Sequence, residues 1–183
     1  PIRNQDGPSA ILHSLTSFIT ERLNKFDLPI EKVYGVGITL PGAIHPHSGT
    51  PYASAEMPGW NGFQMDSLLR EVFPYAVVII ERDTNAMAFG ELRKGAARQL
   101  KHFVYINVGQ SINAGIVIDG KIYHGANGQT GEIFRLQNAD ADTLSSSKPA
   151  HNENEHRAIK IGKAISTLVN IIDPQMVLIG GNA

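Results

Sequence analysis

The chain has 183 residues, 42% of them hydrophobic, with 16 basic residues against 17 acidic ones and a formal net charge of −1. This near-neutral balance excludes the large cationic surface that binding DNA without a further module would need, and the absence of cysteine excludes disulfides and thiolate metal sites. No apolar run reaches membrane-spanning length and no signal-peptide pattern opens the chain, so we expect a cytoplasmic protein without a membrane partner.

The first half of the sequence predicts alternating helices and strands. Apolar residues at helical spacing predict a helix over 8–26, opened by Pro8-Ser9. Alternating residues in "VYGVGITLPG" (33–42) predict a strand that runs into a long loop rich in Pro, Gly and Ser. A short amphipathic helix is predicted over "FQMDSLLREVF" (63–73), and a buried strand over "AVVIIE" (76–81).

The second half continues the same alternation. A helix starts with "DTNAMAFGEL" and is predicted to end near Gly95, before a strand over "HFVYINVG" (102–109). Asp119-Gly120 predicts a tight hairpin turn inside "AGIVIDGKIYHG". The last helix, from residue 158, leads into the strand "QMVLIGG". Strands mixed with helices and a hairpin indicate an α/β fold with a mixed sheet.

Residues 136–157 are polar and lack periodicity, which is typical of a loop or a disordered segment. About twenty such residues are unusual inside a compact domain. Two interpretations remain: a polar linker, or a junction where a stretch of a longer chain is missing and two distant segments meet. We favour the junction, and we expect this sequence to be part of a larger chain.

Asp83 follows the strand over 76–81 and heads a helix. An ordinary role for such an Asp is the N-cap, in which its carboxylate accepts backbone N–H groups of the first turn. In an open α/β sheet, however, ligands bind beyond the carboxyl ends of strands. Asp83 is therefore also a candidate to accept a hydrogen bond or a proton from a substrate hydroxyl.

Two glycine-containing segments are further candidates. In "GANGQTGEIFR" (125–135), glycines let the backbone approach a ligand, and Glu132 offers two acceptor oxygens suited to vicinal hydroxyls. Taken alone, an ordinary glycine-rich turn is the better explanation of that segment. In "NVGQSINAGIVIDG" (107–120), a strand–loop–strand could hold phosphate through backbone N–H groups, but it has no Walker lysine.

In order along the chain, the motifs are "GVGITLPGAI", "MPGWNGF", "ERDTNAMAFGEL", "FVYINVG", "AGIVIDGKIYHGANGQTGEI" and "VNIIDPQMVLIGG". This series resembles the ROK family, which comprises sugar kinases and sugar-responsive transcriptional repressors. The resemblance implies an actin-like ATPase, ribonuclease-H-like fold with two lobes around a sugar cleft. It implies a ROK sugar-binding lobe over 1–135, the linker or junction over 136–157, and the C-terminal helix and strand of the second lobe over 158–183.

The resemblance also implies the site residues. Asp83 matches the family Asp that takes the sugar proton in kinases, and Glu132 matches the Glu of a Gly-Glu-x-x-His motif. Arg82 stands where the family usually has Asn, and Arg135 where that motif has a His that touches sugar and zinc. The complete set of expected sugar-binding residues is Gly42, Glu56, Arg82, Asp83, Glu132 and Arg135.

Several departures from the family pattern concern the phosphates and the metal. The family loop Gly-Thr-Gly-Ile-Gly reads here as Gly109, Gln110, Ser111, Ile112 and Asn113. Side chains at Ser111 and Asn113 enter space that phosphate oxygens would occupy, so this nucleotide loop is expected to be vestigial. The Cys-rich zinc motif and the N-terminal phosphate hairpin are not found, and no His has convincing ligand spacing; we therefore expect no metal and no cofactor.

These departures favour the repressor branch: a sugar-binding effector domain of a transcriptional regulator, with DNA bound only by a module elsewhere in the chain. The alternative is an ATP- and Mg²⁺-dependent kinase of a hexose or amino sugar with Asp83 as general base. A sugar-binding protein with neither activity is a third hypothesis. The resemblance also suggests a homo-oligomer.

The chemistry of Arg82 leaves two interpretations open. Arg82 and Arg135 could bind a sugar phosphate, or Arg82 could form a surface pair with Glu81 or Glu56. Trp60, after Pro-Gly, is predicted to be a packing anchor beneath a loop rather than a sugar-stacking ring.

Overall fold

The structure is a computed structural model that describes residues 7–52, 57, 59–109, 111–133 and 153–181. Its α-helices are α1 (Pro8–Lys25), α2 (Met65–Val72), α3 (Asp83–Lys94) and α4 (Glu153–Ile172), and a short 3-10 helix spans Ile30–Lys32. Its strands are β1 (Gly35–Leu40), β2 (Ala43–Ile44), β3 (Pro51–Tyr52), β4 (Val77–Arg82), β5 (Phe103–Val108), β6 (Ile112–Ile118), β7 (Lys121–Ile122) and β8 (Met176–Gly180). The predicted helices and strands are thus confirmed in kind and order.

The chain divides into two compact units. The first comprises Pro1–Asp83 and Ala126–Gln129, and the second comprises Thr84–Gly125 and Thr130–Ala183. The predicted junction at 136–157 falls largely outside the described residues. The last helix begins at Glu153, five residues before its predicted start at 158. Its first turn therefore lies in a segment for which the polar sequence predicted a loop.

The first unit is built on two parallel strands. β1 pairs with β4 in register from Gly35 opposite Val77 to Leu40 opposite Arg82. Helices α1 and α2 supply the rest of the core, and its buried side chains are Leu12, Leu40, Ile44, Trp60, Met65, Leu69, Phe73, Ala76 and Val78. Pro8 lies in the first turn of α1, where its missing N–H costs nothing.

The prediction that 76–81 is a buried strand is correct for only one of its faces. Val78 is buried, but Val77 and Ile79 are 63% and 60% exposed. These two residues lie opposite Gly35 and Gly37 of β1, which carry no side chains. The continuous apolar run therefore conceals the alternation of the strand between a face that packs in the core and a face that is exposed.

The long loop after β1 contains a hairpin that its composition did not predict. β2 pairs with β3 in antiparallel register, and the rings of His45 and Tyr52 stack with centroids 4.4 Å apart. Trp60, further along, is 4% exposed and packs edge-to-face on Phe63 at 5.9 Å. Its predicted packing role is confirmed.

The second unit is a four-stranded mixed sheet in the order β7-β6-β5-β8. β5 is antiparallel to β6 and parallel to β8. Asp119 and Gly120 both have positive φ, 52° and 72°, as the predicted hairpin turn between β6 and β7 requires. The predicted mixed sheet is confirmed.

Both faces of this sheet are covered. Val104, Ile106 and Ile116 pack with Ala164 of α4 on one face. Phe103 and Val117 pack with Ala88 of α3 on the other. Because β5 and β6 are buried on both sides, they read as nearly continuous apolar runs in the sequence. Among the described residues, none of the helices combines the length and apolar character that spanning a bilayer requires.

Raising the pH above the ordinary tyrosine range is expected to destabilise the protein through Tyr105 of β5. Burial raises the pKa of Tyr105 above its ordinary value of 10.0, and the negative charge of Glu91 raises it further. The unfolded chain then loses this proton at lower pH than the folded chain, so the associated stability is present below pH 10 and lost as pH rises through the folded pKa. Urea unfolding of the unaltered chain and of Tyr105→Phe at a series of alkaline pH values measures this effect. The free energy of unfolding should fall less steeply with pH in Tyr105→Phe, and an equal fall in both proteins would contradict the prediction.

Candidate functional site

The carboxyl ends of β1 and β4 lie side by side and carry the first candidate residues. Leu40 is opposite Arg82 in the parallel register, so the Pro41-Gly42 loop and Asp83 leave the same edge of the sheet. Gly42 has a φ of 85°, which glycine adopts without strain. The structure therefore brings Gly42, Arg82 and Asp83 together, at the type of edge where open α/β sheets bind ligands.

Asp83 is the first residue of α3 rather than the residue before it. Its side chain is half-buried. A carboxylate in the first helical turn interacts favourably with the partial positive charge of the helix N-terminus. The position suits a hydrogen bond to a ligand hydroxyl.

Arg82 is inside the protein. Its side chain is 1% exposed and is the largest of the fully buried side chains among the described residues. It shares its face of β4 with Val78 and Ile80, which line the core of the first unit, and its backbone N–H donates to Glu81 Oε1 at 2.8 Å. The surface location expected for such a pair is therefore wrong for Arg82, whereas its pairing with Glu81 or Glu56 stays a prediction.

The loop that carries Glu132 is built on three glycines with positive φ, namely Gly125, Gly128 and Gly131. The carbonyl of Gly131 accepts the N–H groups of Ala114 and Ile133, each at 2.8 Å. Glu132 is 8% exposed. The bond from Ala114 ties the turn that carries Glu132 to β6.

The segment expected to be a nucleotide loop is shorter than predicted, because β6 begins at Ile112. Ile112 and Asn113 are strand residues, 4% and 7% exposed. Asn113 Nδ2 donates to Ser111 Oγ at 2.9 Å, and the N–H of Gly109 donates to the carbonyl of Ser111 at 3.1 Å. The described residues of this turn, Gly109, Ser111 and Asn113, are therefore hydrogen-bonded to one another, and we call this arrangement the closed turn between β5 and β6.

The predicted site residues fall into three sets. Gly42, Arg82 and Asp83 belong to the first unit, and Gly109, Ser111, Asn113 and Glu132 to the second. Glu56, Gln110 and Arg135 lie outside the described residues. It stays a prediction that Asp83 and Glu132 bind the same ligand.

Sequence reasoning missed one close contact beside these residues. A Cβ on Gly115 of β6 would lie 2.6 Å from the carbonyl oxygen of Thr84 and 2.7 Å from Cβ of Ala88. The available signal was a single glycine inside a strand of large apolar residues, which often marks a close backbone approach.

A structural zinc site does not fit the residues that the structure describes. The chain has no cysteine, and in the described ranges there is no group of three His, Asp or Glu placed to share an ion. Tetrahedral zinc in a structural site needs four such ligands.

A parallel β1–β4 pair with helices α1 and α2, followed by a mixed sheet between α3 and α4, is the mixed α/β, actin-like architecture. The chain belongs to the ROK family, whose sequence signature matches residues 3–146. A ROK family glucokinase from Streptomyces griseus, solved in complex with glucose and AMPPNP, superposes with a TM-score of 0.69 at 16% identity. That alignment covers 98% of this chain and 74% of the glucokinase, and it shows a shared fold.

Two sequence relatives represent both branches of the family. A glucokinase from Halalkalibacterium halodurans is 33% identical over 136 residues, covering 74% of this chain and 41% of its own. A xylose repressor from Caldicellulosiruptor bescii is 31% identical over 123 residues, covering 67% of this chain and 30% of its own. The chain thus matches less than half the length of either relative.

Proposed function

We propose that this chain is the sugar-binding effector domain of a ROK-type transcriptional regulator of carbohydrate metabolism. The observation that carries the proposal is the closed turn between β5 and β6. Asn113 is buried and its amide is bonded to the Ser111 hydroxyl at 2.9 Å, inside the segment where the family pattern has glycines. A repressor needs a sugar site but no phosphate-binding loop, whereas a kinase needs both.

Phosphoryl transfer depends on positioning the phosphates and stabilising their charge. Backbone N–H groups that point at the ligand supply much of this stabilisation. Here the N–H of Gly109 is already directed at the carbonyl of Ser111 at 3.1 Å. Opening the turn for ATP would break that bond and the Asn113–Ser111 bond, so we propose that neither ATP nor Mg²⁺ is a cofactor.

The ligand that we propose is a neutral sugar. Asp83 at the strand edge and Glu132 on its anchored turn are both carboxylates, which accept hydrogen bonds from hydroxyl groups. The relatives are named for glucose and xylose, which are neutral. A sugar phosphate is the alternative ligand, but the burial of Arg82 at 1% exposure favours a neutral one, since an anion would need a guanidinium that it can reach.

We propose that sugar binding shifts the population between a DNA-binding form and a released form of the whole protein. DNA contact belongs to a module outside the described residues, because the net charge of −1 gives this chain no large cationic surface. A homo-oligomer in the cytoplasm is part of the same proposal.

The second candidate function is a sugar kinase, which the 33% identity to a glucokinase favours. Asp83 would then remove the proton from the attacking sugar hydroxyl. Calorimetric titration with glucose, xylose and N-acetylmannosamine, beside a coupled assay of ADP release, separates the two. Saturable binding without turnover supports the regulator, and sugar-dependent ADP release that Asp83→Ala abolishes would overturn it.

Restoring glycines to the β5–β6 turn is expected to create nucleotide affinity. In the triple variant Gln110→Thr, Ser111→Gly, Asn113→Gly, backbone N–H groups regain access to phosphate, and one recovered charge-assisted hydrogen bond corresponds to about tenfold tighter binding of ATP. Equilibrium titration with a fluorescent ATP analogue measures this, and thermal unfolding checks that the triple variant is folded. Tight nucleotide binding by the unaltered chain would contradict the closed-turn interpretation.

A further inference from the structure

The start of α3 lies directly against Gly115 of β6. Thr84 and Ala88 are one helical turn apart on α3, and both are 0% exposed. A Cβ on Gly115 would meet both, at 2.6 Å from the Thr84 carbonyl oxygen and 2.7 Å from Ala88 Cβ. Only a residue without a side chain permits this approach.

The same stretch of β6 is also hydrogen-bonded to the segment that carries the second candidate carboxylate, Glu132. Ala114, the residue before Gly115, donates its N–H to the carbonyl of Gly131 at 2.8 Å, and Glu132 follows Gly131 directly. Asp83 is covalently next to Thr84 and lies in the same helical turn. Two neighbouring residues of one buried strand thus contact the segments that carry both candidate ligand-binding carboxylates.

From this contact we infer that Gly115 is a positioning residue for Asp83. The absence of a Cβ at Gly115 sets the depth of the first turn of α3 on the sheet, and this depth determines where the Asp83 carboxylate stands. The inference rests on the proposed function, because Asp83 is taken as a sugar ligand. It assigns a positioning role to a residue that does not itself touch the ligand.

The expected effect of Gly115→Ala is a loss of sugar affinity that exceeds its loss of stability. A displaced first turn weakens the charge-assisted hydrogen bond from the sugar to the Asp83 carboxylate, so binding of glucose or xylose is expected to weaken by roughly tenfold. Gly37→Ala is the matched control: Gly37 is also a strand glycine with ordinary φ, but a Cβ there meets nothing within 4 Å. We expect Gly37→Ala to bind sugar as the unaltered chain does.

A double-mutant cycle with Asp83→Asn separates positioning from general destabilisation. If Gly115 acts through the Asp83 carboxylate, Gly115→Ala should cost about tenfold in the unaltered chain but less than about twofold when Asp83→Asn is already present. Equal losses in both backgrounds would overturn the inference. Should Gly115→Ala fail to fold, Ala88→Ser adds one atom to the helix side of the same contact and takes its place in the cycle.

A crystal structure of the Gly115→Ala variant gives a readout that needs no sugar. The carbonyl oxygen of Thr84 is expected to move away from residue 115, and an unmoved Thr84 would overturn the geometric inference. If the unaltered chain binds none of glucose, xylose and N-acetylmannosamine, the proposed function fails. The position of Thr84 in the variant still shows whether Gly115 determines how closely α3 packs on β6.

Discussion

Asp83→Asn is expected to weaken sugar binding by roughly 30-fold, or about 2 kcal/mol, which is the contribution of a hydrogen bond to a charged group. The structural reason is the position of Asp83 at the carboxyl end of β4, beside the Pro41-Gly42 loop that follows β1. Asparagine keeps the size and one acceptor oxygen but removes the charge. Calorimetric titration with glucose and xylose measures the effect.

The stability of Asp83→Asn is expected to change far less than its affinity. Removing a carboxylate from the first turn of α3 costs about 0.5–1 kcal/mol through the helix dipole, and a thermal or urea melt records this separately. Asp173→Asn is a control, since Asp173 is exposed and has a φ of 49°, which asparagine tolerates. Unchanged sugar affinity in Asp83→Asn would remove Asp83 from the site and leave it a purely structural residue.

The sequence predicted the described helices and the longer strands well, because their signals are local. The apolar spacing of α1, the Asp119-Gly120 turn and the apolar runs of β5 and β6 each fix an element without reference to distant residues. The order of these elements was enough to predict a mixed sheet. Motif order then predicted the ROK family, which the family signature over 3–146 confirms.

Features that depend on pairing or on three-dimensional packing could not be predicted. The hairpin of β2 and β3 has two residues in each strand, too few for an alternation to be visible. The exposure of Val77 and Ile79 depends on which strand lies beside β4 and on where α1 and α2 pack. The early start of α4 at Glu153 occurs in polar sequence without an apolar stripe.

For the candidate site, the positions of the residues along strands and helices were easier to predict than the burial and hydrogen bonding of their side chains. The sequence placed Asp83 at a strand end correctly, yet it left Arg82 free to lie on the surface, because a charged residue is seldom buried. The β5–β6 turn was expected to carry obstructing side chains, and the structure adds that Asn113 and Ser111 bond to each other. That bond depends on β6 beginning at Ile112, a boundary that propensity does not define.

Gly128→Ala is expected to destabilise the protein by about 2–5 kcal/mol. Gly128 has a φ of 67°, a conformation that costs an L-residue about 1–2 kcal/mol. A Cβ at this position would also overlap the backbone carbonyl oxygen of Ile44, which lies in β2 and cannot rotate away as a side chain would. Such overpacking adds roughly 1–3 kcal/mol, so the two costs together are comparable to the whole stability of a marginal domain.

Gly62→Ala separates the two costs, because Gly62 has a φ of 76° but a Cβ there meets nothing within 4 Å. Urea unfolding of Gly62→Ala should therefore show the backbone strain alone, and the difference from Gly128→Ala measures the clash with Ile44. Gly128 precedes Glu132 in the same glycine-containing loop, so the clash is also expected to disturb that carboxylate. Equal stabilities of the two variants would mean that the loop can move off β2 at no cost, and a loop with that freedom could not hold Glu132 in place for a ligand.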